Sequence, residues 1–168
     1  MLQRPGGRRG LGQVFTPKYI ARVMIKWAVR RPGDRVLDPG CGDGVFLAEA
    51  YARLAELGGP VAPGQLVGVE VDAELAERAR RAPGDPLVIV ADFFDLAPER
   101  LGRFDAVVGN PPYVAWKDLP AALRKKVSEM YGRTARRYGF GDADLYAYWI
   151  VHATRFLREC GRLAMIVS

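Results

Sequence analysis

The chain has only two cysteines, Cys41 and Cys160, and a single histidine, His152. Two thiols make no disulfide framework, and no His/Cys cluster has the spacing of metal ligands, so neither a stapled secreted module nor a zinc-built domain is expected. Long hydrophobic runs are missing too. LVIVA (87–91) is among the longest and falls far short of the roughly 20 apolar residues that a membrane-spanning helix needs. The opening MLQRPGGRRG has the charge of a signal peptide with no apolar segment behind it. Internal repeats are absent. These absences predict a cytoplasmic, reduced protein with no metal of its own.

At 168 residues, the length suits one domain able to bury most of its apolar surface. Charge is unevenly placed. Residues 1–31 carry eight Lys/Arg and no acid, residues 32–114 carry fourteen acids against seven bases, and residues 115–143 carry seven bases against three acids. Two basic segments flanking an acidic middle suit a polyanion that touches only part of the surface. A solvated arginine-rich surface is the blander account.

Along the chain, the expected organisation is a mobile basic arm over 1–12 followed by one domain over 13–168. YIARVMIKWAVR predicts a helix burying Ile20, Val23, Met24, Trp27 and Ala28, with Thr16 as its N-cap before Pro17. Short apolar strands are expected at 35–38, 65–70, 86–91 and 104–109, separated by helices over 45–57 and 72–81. LPAALRKKVSEMY predicts a further helix. Leu145, Tyr148, Trp149, Ala153, Phe156 and Leu157 form the stripe of another, and GRLAMIVS (161–168) is the last strand. Alternating strands and helices predict an α/β fold with a doubly wound, mainly parallel sheet. Its fifth strand would be an open edge, which predicts a fragment or a chain whose sheet is finished by a second chain or domain.

In such sheets, ligands bind beyond the carboxyl ends of the strands. DPGCGDG (38–44) stands there after the first strand, where Gly40 and Gly42 allow close backbone approach. Glu70 ends the second strand and can accept hydrogen bonds from ribose hydroxyls. Asp92 and Phe93 come after the third, a carboxylate and a ring suited to an adenine. The turn lacks GxGxxG spacing, and Asp38 would repel a pyrophosphate while attracting an ammonium or sulfonium. Those strand ends describe a site for an adenosine-bearing cofactor, with S-adenosylmethionine favoured over a nicotinamide dinucleotide. GNPPY (109–113) leaves the fourth strand through two prolines, which end the strand and stiffen the loop beyond it.

The ordered motifs QVFTP (13–17), DPGCGDGVFL (38–47), VGVEVD (67–72), ADFF (91–94), GNPPY (109–113), DLYAYW (144–149) and GRLAMIVS (161–168) resemble the gamma group of adenine-N6 DNA methyltransferases. The likeness is strongest to restriction–modification enzymes that fuse cutting and methylation. It covers nearly the whole chain and implies a catalytic domain of the Rossmann-like, S-adenosylmethionine-dependent kind, incomplete at its C-terminal edge. The resemblance places Thr16 over the methionine end of the cofactor. The turn that includes Asp38, Gly40, Cys41, Gly42 and Gly44 would hold methionine and ribose, Glu70 with Val71 the ribose, and Asp92 with Phe93 the adenine. Pro112 would lie against the adenine from the far side. It also implies that Asn110 and the Pro111 carbonyl accept the two N–H bonds of a target amino group, while Tyr113 stacks on a base flipped from double-stranded DNA.

Departures from the family are equally specific. The later motifs are missing, including the aromatic residue expected on the other face of the flipped base, and so is a target-recognition domain. Two other readings use the same residues. NPPY also serves methyltransferases acting on protein glutamine or RNA guanine, and a non-catalytic remnant that binds cofactor or DNA would keep these motifs as well. A cytosine-N4 enzyme would usually carry Ser where Asn110 stands. His152 is expected as a hydrogen-bonded core residue and Cys41 as packing, and Asp144 suits a helix N-cap as well as it suits the DLY motif.

Overall fold

A computed structural model describes residues 16–139 and 143–167. The expected basic arm over 1–12 lies outside the described residues. Five strands form one parallel sheet in the order β3-β2-β1-β4-β5. They are β1 (Val36–Asp38), β2 (Leu66–Glu70), β3 (Leu87–Val90), β4 (Phe104–Gly109) and β5 (Leu157–Met165). The helices are α1 (Lys18–Ala28), α2 (Val45–Glu56), α3 (Ala73–Ala79), α4 (Pro98–Leu101), α5 (Ala121–Tyr138) and α6 (Leu145–Thr154). Single 3-10 turns occur at Phe93–Asp95 and Trp116–Asp118.

The alternation of side chains along each strand divides the core in two. Val36, Leu66, Val88, Ala106 and Val108 pack with Ala21, Ile25, Phe46, Leu47 and Ala76 of α1, α2 and α3. Leu37, Val67, Val69 and Val107 pack on the opposite face with Val127, Tyr131, Tyr148 and Phe156, from α5, α6 and the turn between α6 and β5. Burying each of these aliphatic side chains contributes roughly 1.5–3 kcal/mol, so the sheet depends on both helix layers. The expected doubly wound parallel sheet is what forms.

Several local expectations are corrected. Helix α1 buries Ala21, Ile25 and Ala28, whereas Tyr19, Val23 and Trp27 are more than half exposed. Small residues let α1 sit close on α2, so the larger apolar side chains face outward. Thr16 does not cap α1: Pro17 holds the N-cap position, and its carbonyl accepts the first helical N–H bonds from Ile20 and Ala21. Helix α6 stops at Thr154, and β5 begins at Leu157, earlier than expected. Its register against β4 jumps from Phe104↔Leu157 to Ala106↔Arg162, with Cys160 at φ 60°, so the strand enters through an irregular loop-out. β3 is the opposite edge, with Leu87 and Val90 about half exposed.

The chain runs outward from β1 to β2 and β3, then returns to place β4 on the other side of β1. The crevice at this reversal lies beyond the carboxyl ends of β1 and β4. Asp38 ends β1 and Asn110 follows β4, so the two residues flank it on the β1 and β4 sides.

Candidate cofactor and target-amine site

A cavity of about 290 Å³ opens beyond these strand ends. The turn after β1 supplies Gly40, Cys41, Gly42 and Asp43, the end of β2 supplies Glu70 and Val71, and the end of β3 supplies Asp92 and Phe93. Asn110 and Pro112 line the same space from β4, as does Thr16 from the segment ahead of α1. Ten of the residues expected from the sequence therefore share one chamber. Asp38 lies beneath it, fully buried, and Gly44, Pro111 and Tyr113 are not among the residues that line it.

The glycine turn is held by its neighbours. Gly44 has φ +92°, and a Cβ there would meet the Ala79 backbone at 3.0 Å, so α3 could not approach α2 with any other residue. Glu70 binds the turn from below: its Oε2 accepts the Gly42 N–H at 2.9 Å and its Oε1 accepts the Asp72 N–H at 2.9 Å. Asp72 in turn caps α3 by accepting from Glu74 and Leu75. Cys41 is 3% exposed, and burial pushes its thiol pKa far up, the state of a packing residue.

Asp38 is the electrostatic centre of the site. Its Oδ1 receives only a long bond from the Gly40 N–H, 3.4 Å, and its buried Oδ2 has no hydrogen-bond partner among the described residues. Burial raises its pKa to about 8, the Gly40 N–H opposes that shift, and the charges of Glu70 and Asp43 add to it. Gly109 runs close by, where a Cβ would fall 3.0 Å from Asp38 Oδ1, so any side chain at 109 would crowd the carboxylate. A buried acid with an unsatisfied oxygen, beneath a cavity also lined by Asp43, Glu70 and Asp92, fits a ligand bearing a cationic head. That chemistry suits S-adenosylmethionine, whose amino and sulfonium groups are cationic.

On the β4 side, Asn110 Nδ2 donates to Thr16 Oγ1 at 3.3 Å. Tyr113 donates its hydroxyl to the Ile166 carbonyl at 2.8 Å, and its ring lies 6.2 Å from that of Tyr146. The loop beyond is tied to α6: Leu145 N–H donates to the Val114 carbonyl, and Asp144 Oδ1 accepts the Trp116 N–H at 3.3 Å. Asp144 thus occupies the N-cap position of α6, but its side chain serves the loop rather than the helix.

The adenine-side turn differs from expectation in one respect. Phe93 is 1% exposed and its ring packs against Trp149, His152 and Phe156, at centroid distances of 4.6 to 5.1 Å. Its ring belongs chiefly to the core. Leu123, Leu145 and Trp149 also line the cavity, and none of them is among the site residues expected from the sequence. Leu145 and Trp149 show in the sequence as members of a helix stripe and of the motif DLYAYW, and nothing local in LPAALRKKVSEMY distinguishes Leu123 as a wall residue. His152 is fully buried: Tyr131 donates to its Nδ1, and its Nε2–H donates to the Phe93 carbonyl at 3.0 Å. It is the hydrogen-bonded core histidine that the sequence suggests.

A parallel sheet in this order, with a glycine turn after β1 and acids ending β1, β2 and β3, defines the S-adenosylmethionine-dependent methyltransferase class, and S-adenosylmethionine is its cofactor. More narrowly, the family model described as Eco57I restriction-modification methylase matches residues 85–168, half of the chain, and the chain belongs to that family. It is similar to a type II methyltransferase, M.TthHB8I, of Thermus thermophilus: 34% identical over 162 residues, covering 95% of this chain and 35% of that protein. It also resembles a release factor glutamine methyltransferase of Geobacter sulfurreducens, 32% identical over 154 residues, covering 89% of this chain and 51% of the relative. Among solved structures, the type IIG restriction endonuclease BpuSI shares the fold at a TM-score of 0.68 and 20% identity, over 89% of this chain and 19% of that one. The chain thus spans about a third to a half of these curated relatives. Among the described residues, no helix is long and apolar enough to cross a membrane.

Proposed function

We propose that residues 13–168 form the catalytic domain of an enzyme that transfers a methyl group from S-adenosylmethionine to the N6 amino group of adenine in DNA, within a restriction–modification system. The observation that carries this reading is that Asn110 and Pro112 line the same cavity as Gly40, Glu70 and Asp92. An amide poised to receive an amino group therefore shares a chamber with the cofactor residues.

The bound cofactor supplies an electrophilic methyl group. The chain's own residues do the rest. Asp38 and the turn after β1 hold the cationic end, Glu70 the ribose, and Asp92 the adenine amino group. An exocyclic amino group is a poor nucleophile because its lone pair is delocalised into the ring. Asn110 Oδ1 and the Pro111 carbonyl accept its two N–H bonds and localise that pair. The proline pair fixes the carbonyl, so little reorganisation is needed at reaction. Tyr113 stacks on the extruded base, returning roughly 1–3 kcal/mol of the extrusion cost. The exposed bases of α5, among them Lys125, Arg133, Arg136 and Arg137, are placed to meet phosphates, and the charge of the basic N-terminal segment would add to that attraction. Target recognition, and a further domain or subunit beside β5, belong to the rest of the assembly.

The test is incubation of the protein with mixed-sequence genomic DNA and methyl-labelled S-adenosylmethionine, followed by digestion to nucleosides. Label in N6-methyl-2′-deoxyadenosine supports the reading. The glutamine-methyltransferase relative motivates a second reading, in which Asn110 and Pro111 grip a planar side-chain amide. Label in methylglutamine of a protein substrate, with none in DNA, would favour it. Cofactor binding with no transfer to any of these would favour a non-catalytic binding remnant.

A further inference from the structure

Asp92 stands after the third strand as the N-cap of a single 3-10 turn, Phe93–Asp95. One isolated turn has no cooperative stability of its own, so its placement must come from outside contacts. Those contacts come from α5 and α6. Lys126 Nζ lies 2.9 Å from Asp92 Oδ2 and 2.8 Å from Asp95 Oδ1, bridging both acids of the turn. Asp92 Oδ1 meanwhile accepts the Phe94 N–H at 3.0 Å. The Lys126 and Asp92 side chains are each only about one-third exposed. On the same face of α5, Leu123 lines the cavity and Val127 and Tyr131 are buried in the core. Tyr131 then reaches the turn through His152, which donates to the Phe93 carbonyl.

We infer that Lys126 is a positioning residue for adenine recognition: its ammonium clamps Asp92 against the 3-10 turn so that the carboxylate faces the cofactor's 6-amino group. This rests on the reading that the adenine end of the cofactor lies at Asp92. The geometry leaves Asp92 competent for that task. Each of its oxygens uses one acceptor direction, on Phe94 N–H or Lys126, and each keeps another. Asp95 accounts for the second half of the device. Without Lys126, two carboxylates three residues apart would repel each other with no cation between them, and the Asp92 side chain would lose the only contact that fixes its Oδ2 among those described. Long-range packing puts the clamp on the helix whose outer face carries Lys125, Arg133, Arg136 and Arg137. The adenine end of the site and the basic helix are thereby one mechanical unit.

The experiment compares binding of S-adenosylhomocysteine with that of S-inosylhomocysteine, in which a carbonyl replaces the 6-amino group, by calorimetry on the protein. Both ligands are measured on one preparation, so any unfolded fraction cancels from the ratio. The unaltered protein should prefer the adenine ligand by at least about tenfold, because a carboxylate faces an oxygen in the other. Lys126→Met should reduce that preference at least about threefold and weaken the adenine ligand by about 3–10-fold, and Lys126→Arg should restore most of both. Asp92→Asn serves as the reference. If Asp92→Asn leaves the preference unchanged, adenine is not read at Asp92, and the underlying site assignment fails along with the clamp. If Asp92→Asn abolishes the preference while Lys126→Met keeps it, the site assignment stands and the clamp is overturned.

Discussion

The Asn110 side chain donates from Nδ2 to the Thr16 hydroxyl at 3.3 Å, joining residues 94 positions apart in the chain. The bond fixes the polarity of the amide: with Nδ2 turned to Thr16, Oδ1 faces the other way, as an acceptor for an amino group must. It also brings the segment ahead of α1 to the wall of the cavity, which no helix-capping role for Thr16 would have done.

Replacing Asn110 with Ala should leave S-adenosylhomocysteine affinity within about threefold and lower methyl transfer on the order of a thousandfold. Thr16→Val keeps the shape and removes this acceptor, so the amide is held less firmly in that orientation. Its turnover should fall about 5–30-fold, a loss equivalent to one hydrogen bond to a positioned group. Single-turnover rates and calorimetry on the same preparations check both. Full turnover by Asn110→Ala would defeat the mechanism.

Asp38 makes cofactor binding depend on pH. Its pKa of about 8 without a cationic partner means that binding a cationic ligand must expel a proton below that pH. Affinity should therefore strengthen as pH rises from 6 to 8, by up to about tenfold per unit, then level off. The Asp38→Asn variant should bind weakly with a flat profile. Stability runs the other way. The folded pKa lies above the unfolded value near 3.9, so the folded chain holds a proton that the unfolded chain releases, and stability without cofactor falls as pH rises between roughly 4 and 8. Thermal melts across that window should show the decline, and Asp38→Asn should reduce it.

Tyr113 separates two contributions at its ring and its hydroxyl. The hydroxyl is tethered to the Ile166 carbonyl, just beyond β5, so Tyr113→Phe should cost about 1 kcal/mol of stability and change DNA affinity little. Tyr113→Ala removes the stacking surface and should weaken productive DNA binding by roughly 1–3 kcal/mol, about 5–150-fold. A mismatch opposite the target adenine lowers the cost of extrusion and should recover part of that loss. Equal behaviour of both variants would place the ring outside the base pocket.

The strand ends are legible in the sequence because their chemistry is local. A glycine turn and an acid after a short apolar run mark where ligands sit, and GNPPY marks the end of β4 without reference to anything else. Lys126 and Leu123 are not legible. Their roles exist only because α5 folds back over β3's exit, and in sequence Lys126 is one base among seven in a charged stretch. The outward face of α1 escapes periodicity for a related reason: the pattern selects Val23 and Trp27 by size along with Ala28, while close helix packing buries Ala21 and Ile25 beside Ala28. The early start of β5 is hidden by the loop-out at Cys160, whose positive φ no pattern of apolar residues announces.

His152 links α5 and α6 to the adenine-side turn, and its hydrogen bonds decide its state. The Phe93 carbonyl can only accept, so Nε2 carries the proton and Nδ1 receives the Tyr131 hydroxyl. Burial lowers its pKa, which keeps the ring neutral. Substituting Phe fills the space but leaves the buried Tyr131 hydroxyl without its acceptor and the Phe93 carbonyl with only the Leu96 N–H. That should cost about 2–4 kcal/mol, a large share of a small domain's stability. Tyr131→Phe should cost about 1 kcal/mol in the natural background, yet be neutral or stabilising beside His152→Phe, because it removes a hydroxyl that has already lost that acceptor. Denaturant melts of the four proteins give the coupling directly. A coupling of at least about 1 kcal/mol is expected; additive costs would mean that the Tyr131–His152 bond contributes nothing to holding the two helices on the turn.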